Sequence, residues 1–305
     1  MKAKPLNAHK KPASHRSYLL PDSKVTKSII TLGASVCLAF TLSACSKEAN
    51  TEEAQVVSDD TAPTTQPTEA IRIAAAANLS DVLPDIIEGY KADRNLQDQK
   101  IEVTFASSGK LYSQITSGAP YDIFLAANQE FPAKLVDEMF KGDTSRTPFT
   151  YTQGQLSIYS ATKSLAGLNQ TTLTDLFKSD DKVKMTIANP KLAPYGESAK
   201  VYLQQQNLYD DLTAQKRIIQ AENIGQAFQY AHTGSVDYGF VAQSQVTAIK
   251  ASPEQFYILP SESYPAILQD GIVITDVATA ADFTDYLRSP AGQAYFSKAG
   301  YLAVK

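Results

Sequence analysis

The stretch "VTFASSGKLYSQI", residues 103–115, passes from a strand into the start of a helix through two serines and a glycine. Small hydroxyls at such a turn have three common uses. They cap the helix by accepting from its first N–H groups, they act as nucleophiles beside a base, or they donate to an anion at the helix N-terminus. The rest of the chain must indicate which of these three uses applies to Ser107 and Ser108.

Strand and helix patterns alternate from residue 69 to the C-terminus, which predicts an α/β fold with mainly parallel sheets. The predicted strands are "AIRIAAAA", "KIEVTFA", "YDIFLAA", "QLSIYSA", "KMTIAN", "DYGFVA" and "DGIVI". The first helix should begin near Ser80 or Asp81, because Pro84 is tolerated only near a helix start. The helix after the serine turn should end at Gly118. We expect two domains with a ligand cleft where strand ends face each other.

The first 45 residues have the layout of a bacterial lipoprotein signal peptide. A basic segment precedes the apolar run "IITLGASVCLAFTL", which is too short to span a membrane comfortably, and "LSAC" at residues 42–45 resembles a lipobox. We therefore expect Cys45 to be lipidated and to become the mature N-terminus. Residues 46–68 are polar, rich in Thr, Pro and acids, and predict a flexible tether.

Processing at Cys45 leaves a chain with few reactive groups. The whole chain has 28 basic and 32 acidic residues; the first 45 residues hold 7 and 1 of these, so 21 and 31 remain, a net charge of −10. This acidic body argues against nucleic acid as a partner. Cys37 is removed and Cys45 is acylated, so no free thiol, disulfide or thiolate metal site is expected. His232 is the one histidine left, which argues against histidine-based metal catalysis.

Three further strand-to-helix turns carry small or polar residues: "AAAANLSD" with Asn78, "ANPKLAPYGES" with Tyr195, and "AENIGQ" with Ile224. Each opens a helix, where the first N–H groups have no helical partner and the helix dipole adds partial positive charge. Any one of these turns is most simply an ordinary cap. Several that converge would form an anion site of neutral donors, without Lys or Arg.

The segments "AAAANLSDVLPDI", "VTFASSGKLYSQITSGAPYDIFLAANQEFPAKL" and "SPAGQAYFSKAGY" resemble the periplasmic molybdate-binding proteins of ABC importers over about residues 70–305. The resemblance implies a type II periplasmic-binding-protein fold. It places the molybdate contacts on Asn78, Ser108, Tyr195 and Ile224, and leaves Ser107 to cap the helix or to face the sheet. Some members carry a tyrosine hydroxyl where this chain has Ala242, so the Tyr195 phenol is a candidate replacement donor.

The chain is thus interpreted as a lipid-anchored, exported binding protein that captures molybdate, and also tungstate, for an ABC permease. We expect a monomer without cofactor or enzymatic activity, in which molybdenum is bound only as its oxyanion. The expected domains are residues 69–150 with 266–305, and residues 151–265, with hinges near residues 150–152 and 264–268.

Two alternatives remain at this point. One is a binding protein for another tetrahedral oxyanion such as sulfate. The other is a serine acyl-enzyme, because "SSGK" places Ser107 and Lys110 at S-x-x-K spacing, with "SDD" at Ser179 and "HTG" at His232 as imperfect companions. Lys110 is more simply a solvated helix residue, and His232 the end of a helix.

Overall fold

A computed structural model describes residues 70–304 of the chain. The predicted signal peptide, the tether and Cys45 lie outside the described residues. Within them, ten strands and ten α-helices alternate for most of the length. The strands are β1 (Ile71–Ala76), β2 (Ile101–Ala106), β3 (Ile123–Leu125), β4 (Phe149–Gly154), β5 (Leu156–Tyr159), β6 (Met185–Ala188), β7 (Ile218–Ala221), β8 (Tyr238–Ala242), β9 (Phe256–Ile258) and β10 (Ile267–Val273).

The helices fill most of the connections between these strands, as the α/β prediction requires. They are α1 (Leu83–Arg94), α2 (Ser108–Thr116), α3 (Glu130–Met139), α4 (Gln170–Ser179), α5 (Pro194–Gln205), α6 (Tyr209–Ala214), α7 (Ile224–His232), α8 (Gln243–Ala248), α9 (Ala278–Arg288) and α10 (Pro290–Lys298). A 3₁₀ turn, Ala77–Leu79, connects β1 to the segment before α1, and a second, Ser261–Ser263, precedes β10. None of the helices between residues 70 and 304 has the length and apolar character needed to cross a bilayer.

The strands form two five-stranded sheets, in the orders β2-β1-β3-β10-β4 and β7-β6-β8-β5-β9. This confirms the predicted two-part α/β fold. Each sheet is mixed: β1, β2 and β3 run parallel, as do β6, β7 and β8, whereas β4, β5, β9 and β10 pair antiparallel. The antiparallel strands include those that carry the chain between the sheets, namely β4 into β5 and β10 on its return.

Each sheet has an apolar cluster on both faces, which explains why its inner strands are apolar runs without polar alternation. In β1, Ile71, Ile73 and Ala75 belong to the cluster with α1, α9 and α10, while Ala74 packs with α2 and α3 on the other face. Burying an isoleucine such as Ile71 or Ile73 contributes roughly 1.5–3 kcal/mol. This packing fixes the strand ends from which the helix-opening turns emerge.

Several boundaries differ from the sequence predictions. Helix α1 begins at Leu83 rather than near Ser80, which places Pro84 in its first turn, where no N–H is needed. Helix α2 ends at Thr116, two residues before Gly118, whose φ of 89° supplies the left-handed conformation that follows the helix. Strands β4, β7 and β9 were not predicted. The domain limits stay a prediction, although β4 keeps residues 151–154 in the first sheet.

We use first lobe for the sheet containing β1 with its helices, and second lobe for the sheet containing β6 with its helices. The ends of β1 and β2 in the first lobe, and of β6 and β7 in the second, lead directly into helix-opening turns. Because these are the carboxyl ends of parallel strands, the turns of each lobe gather at one edge of its sheet.

Candidate functional site

A small cavity lies where these turns of the two lobes meet. Its empty volume is small, ≈ 200 Å³. Twelve residues line it, and they include all four predicted contact residues. The lining residues are Ala76, Ala77, Asn78, Ala106, Ser107, Ser108, Ala127, Ala193, Pro194, Tyr195, Asn223 and Ile224. The cavity therefore suits a small ligand held from both lobes.

Three α-helices begin at this cavity. Helix α2 comes from the first lobe, and α5 and α7 come from the second. The N–H groups of a first helical turn have no partner within the helix, and the helix dipole makes this end partly positive. Tyr195 and Ile224 lie in the first turns of α5 and α7. Their backbone N–H groups can therefore act as donors independently of their side chains. Three converging helix starts favour an anion.

The serine turn does not form an ordinary side-chain cap. Ser107 is the N-cap residue of α2, yet its side chain makes no capping hydrogen bond. Its Oγ is buried without a hydrogen-bond partner among the described residues. The Oγ of Ser108 accepts from the backbone N–H of Ala127 at 2.9 Å, so its own proton remains available to donate. Both hydroxyls line the cavity, and both have a proton to offer there.

Asn78 is fully buried in the 3₁₀ turn after β1. Its Nδ2 donates to Gln269 Oε1 at 2.9 Å and to Tyr301 Oη at 3.0 Å. Its Oδ1 is buried and has no hydrogen-bond partner within residues 70–304. One end of this side-chain amide is therefore held firmly, while the other end is available to a ligand.

The hydroxyl of Tyr195 faces a buried polar group and accepts from Gln269 Nε2 at 3.1 Å. Burial raises the pKa of Tyr195 well above its usual value, and a neutral phenol follows. Ala242 ends β8 and is buried, without a hydroxyl to offer. That the Tyr195 phenol replaces the donor missing at Ala242 stays a prediction. The backbone N–H is the clearer donor of Tyr195.

No residue that lines the cavity carries a charged side chain at neutral pH. Outside the lining, Lys110 on α2 carries a charge, and its Nζ lies 2.5 Å from Oε1 of Glu222 in the second lobe. Both side chains are nearly half exposed. A second link between the lobes is the hydrogen bond from Gly109 N to Leu192 O at 2.9 Å. The two lobes are thus in direct contact beside the cavity.

Gly109 allows that contact because it has no side chain. A Cβ at this position would lie 3.0 Å from Leu192 Cδ2 and 3.1 Å from Leu192 Cα. The serine turn and the loop before α5 would then be pushed apart. The glycine after the two serines is therefore explained by the approach of the second lobe.

The serine-enzyme alternative gains no support from the arrangement. Lys110 is paired with Glu222, while Ser107 Oγ has no hydrogen-bond partner in the described part of the chain, so the lysine is not positioned as its base. His232 is the last residue of α7, as predicted, and its Nδ1 lies 2.9 Å from Tyr159 Oη. Its ring also stacks on Phe228. Lys110 and His232 thus both have structural partners.

No local pattern predicted the buried polar group behind the cavity, which consists of Gln269, Tyr151 and Tyr301. They come from β10, β4 and the segment after α10, far from the helix-opening turns in sequence. A polar residue in an apolar strand was the one available signal, in "ILQDGIV". Chain topology, not local pattern, brings them together.

The chain belongs to the bacterial extracellular solute-binding proteins, a family that matches residues 71–302. Its relatives include two molybdate-binding proteins named ModA. That of Azotobacter vinelandii is 32% identical over 235 residues, which cover 76% of this chain and 89% of the relative. That of Rhodobacter capsulatus is 32% identical over 205 residues, covering 66% and 77%.

A solved structure, the periplasmic molybdate-binding protein of Azotobacter vinelandii, has the same fold. It superimposes with a TM-score of 0.69 at 29% identity, covering 77% of this chain and all of that one. The proteins with these similarities are binding proteins rather than enzymes. The predicted fold class and family are confirmed.

Proposed function

We propose that this protein captures molybdate, and also tungstate, and delivers it to an ABC permease. The observation that carries the proposal is the cavity between the lobes, which is lined by uncharged donors at three helix N-termini. The similarity to molybdate-binding proteins supports molybdate as the ligand. The proposed contacts are the side chains of Asn78 and Ser108 and the backbone N–H groups of Tyr195 and Ile224.

Neutral donors suit a fully ionised oxyanion because each of its oxygens can accept without competition from a proton. A buried carboxylate in the lining would repel such a ligand, and none is present among the lining residues. Hydrogen bonds to a charged group contribute about 1.5–3 kcal/mol each when water is excluded. A few such bonds are enough for tight binding without a positive side chain. No step of catalysis is required of any of these residues, and we propose that the protein has none.

Capture and release require the lobes to separate, since the four proposed contact residues are buried. We propose that the predicted domain of residues 69–150 with 266–305, together with the β4 residues 151–154, moves against the rest of residues 151–265 about the two chain crossings, as hinge-bending domains do. The Gly109–Leu192 hydrogen bond and the Lys110–Glu222 pair belong to the closed form. A monomer suffices, because both halves of the site come from one chain.

The proposal is tested by thermal unfolding and calorimetric titration of the ligand-free protein with molybdate, tungstate, sulfate and phosphate. We expect molybdate and tungstate to raise the melting temperature and to bind with the highest affinity. A preference for sulfate would reassign the ligand within the same site, and no response to any oxyanion would refute the anion site. Hydrolysis of nitrocefin, measured on the same sample, would identify a serine acyl-enzyme.

Binding should depend little on Lys110 and His232. We expect Lys110→Ala and His232→Ala each to change molybdate affinity less than about threefold, because exposed ion pairs contribute about 0–1 kcal/mol and His232 is not a lining residue. Calorimetric titration checks both variants. A hundredfold loss in Lys110→Ala would show that a positive charge is part of the site.

We also propose that the mature protein begins at a lipidated Cys45, and that it is anchored to a membrane outside the cytoplasm. The basic segment, the short apolar run and "LSAC" support this. Mass spectrometry of the native protein should find an acylated cysteine at the N-terminus and no peptide from residues 1–44. An unmodified N-terminus at any other residue would contradict the anchor, and Cys45→Ala should release the protein from the membrane fraction.

A further inference from the structure

Gln269 connects the two lobes behind the cavity. It is fully buried in β10, and its side-chain amide bonds to Asn78, Tyr195 and Tyr151. Asn78 and Tyr195 line the cavity from the first and second lobes respectively. One amide group thus touches a cavity residue on each side.

The two ends of this amide differ in polarity, and this determines what Asn78 can offer. Gln269 Oε1 accepts from Asn78 Nδ2, and Tyr301 Oη takes the second hydrogen of the same Nδ2. Both donors of the Asn78 side chain are therefore used behind the cavity. The end left without a partner is its carbonyl oxygen, Oδ1. A carbonyl oxygen repels an oxyanion, so this orientation does not suit the proposed ligand.

We propose that Gln269 is a positioning residue, whose amide turns by 180° together with that of Asn78 so that Asn78 presents its N–H₂ group to the bound anion. This rests on the proposed function. After the turn, Gln269 Nε2 donates to Asn78 Oδ1, and the Tyr195 hydroxyl donates to Gln269 Oε1. The oxygen and nitrogen ends of an amide are nearly equal in size, so the heavy-atom positions are preserved.

Counting hydrogens supports the turned arrangement. Tyr151 has one hydroxyl proton but two acceptors, Ala126 O at 2.8 Å and Gln269 Oε1 at 3.1 Å. Once Gln269 has turned, Tyr151 donates to Ala126 and accepts from Gln269 Nε2, and the competition ends.

The turned arrangement is less favourable for the contact between the Asn78 side chain and the Tyr301 hydroxyl. This hydroxyl donates to the main-chain oxygen of Asn78 at 2.7 Å and would now face Asn78 Oδ1 as well. Ser244 Oγ donates to the same main-chain oxygen at 3.3 Å and satisfies it, which frees the Tyr301 proton for Oδ1. Each buried polar group therefore keeps a partner in the anion-bound form.

A double-mutant cycle tests whether Gln269 acts through Asn78. Gln269→Met removes the hydrogen bonds to Asn78, Tyr195 and Tyr151 at similar volume, and we expect molybdate to bind about tenfold more weakly. In an Asn78→Ala background the same change should weaken binding less than twofold, because Asn78 has no amide left to position. Gln243→Met is the matched control: Gln243 is buried and accepts from Ser157, but it does not line the cavity. We expect it to change affinity less than threefold.

A measurement on the unaltered protein complements the cycle and does not depend on a variant folding. In ¹⁵N NMR spectra, the side-chain amide signals of Asn78 and Gln269 should both shift when molybdate is added, while that of Gln243 stays in place. Additive losses in the cycle, or an Asn78 signal that does not respond, would overturn the role of Gln269 while molybdate binding stands. A protein that binds no oxyanion at all would instead refute the proposed function, and the role of Gln269 with it.

Discussion

Ser108→Ala should weaken molybdate binding tenfold to more than a hundredfold and leave the fold intact. The Ser108 hydroxyl accepts from Ala127 N–H and has its proton free for the anion. Losing a hydrogen bond to a charged oxygen in a closed site costs about 1.5–3 kcal/mol, since water cannot replace the donor. Calorimetric titration gives the affinity, and melting curves without ligand give the stability.

Ser113→Ala is the matched control for this variant. Ser113 lies on the same helix and donates to Gly109 O at 2.9 Å, away from the lining residues. We expect its affinity to be unchanged. Ser107→Ala should also weaken binding, because the Ser107 hydroxyl lines the cavity without a partner among the described residues. Unchanged affinity in Ser108→Ala, together with a lowered melting temperature, would contradict the anion contact and show that the serine turn has a purely structural role.

Asn78→Asp should reduce molybdate affinity more than a thousandfold at neutral pH. Asn78→Ala removes one donor and should cost about 1.5–3 kcal/mol. The carboxylate adds repulsion: at 4 Å and an effective dielectric constant of about 20, two unit charges interact with about 4 kcal/mol, and the anion carries two charges. A loss beyond a thousandfold corresponds to more than about 4 kcal/mol.

The pH dependence of molybdate affinity in Asn78→Asp distinguishes this repulsion from the loss of a donor. Burial and the neighbouring anion both disfavour the charged carboxylate, so they raise its pKa. Affinity of Asn78→Asp should therefore recover as the pH falls and the group is protonated. Asn169→Asp makes the same chemical change at the cap of α4, where Asn169 accepts from Thr172 N, and should alter affinity less than threefold. Equal losses in both variants would contradict a direct contact at Asn78.

The sequence predicted the parts of this fold that depend on local pattern. Apolar runs that end in small polar turns identified β1, β2 and β6, and the turn residues after them do line one cavity. Strand β4, "FTYTQG", was not predicted, because the burial of its residues varies along the strand and because its partner β10 is more than a hundred residues away. Long-range pairing leaves little trace in a local pattern.

The same limit explains what was missed at the site. The helix starts could be read from local turns, but not the state of the serine side chains. Ser107 has the position of a cap without capping, and that depends on how the second lobe meets the turn. Gln269 matters through three contacts with residues 74 to 191 positions away in sequence. Only the tertiary structure shows such a residue.

The uncharged lining of the cavity has a consequence for the protein's surroundings. No lining side chain is an ordinary acid or base, and burial keeps the Tyr195 phenol neutral far above physiological pH. Capture of the anion therefore exchanges no proton between these residues and the medium. An exported protein meets whatever acidity the environment imposes, and the residues that line this cavity add no protonation step to uptake.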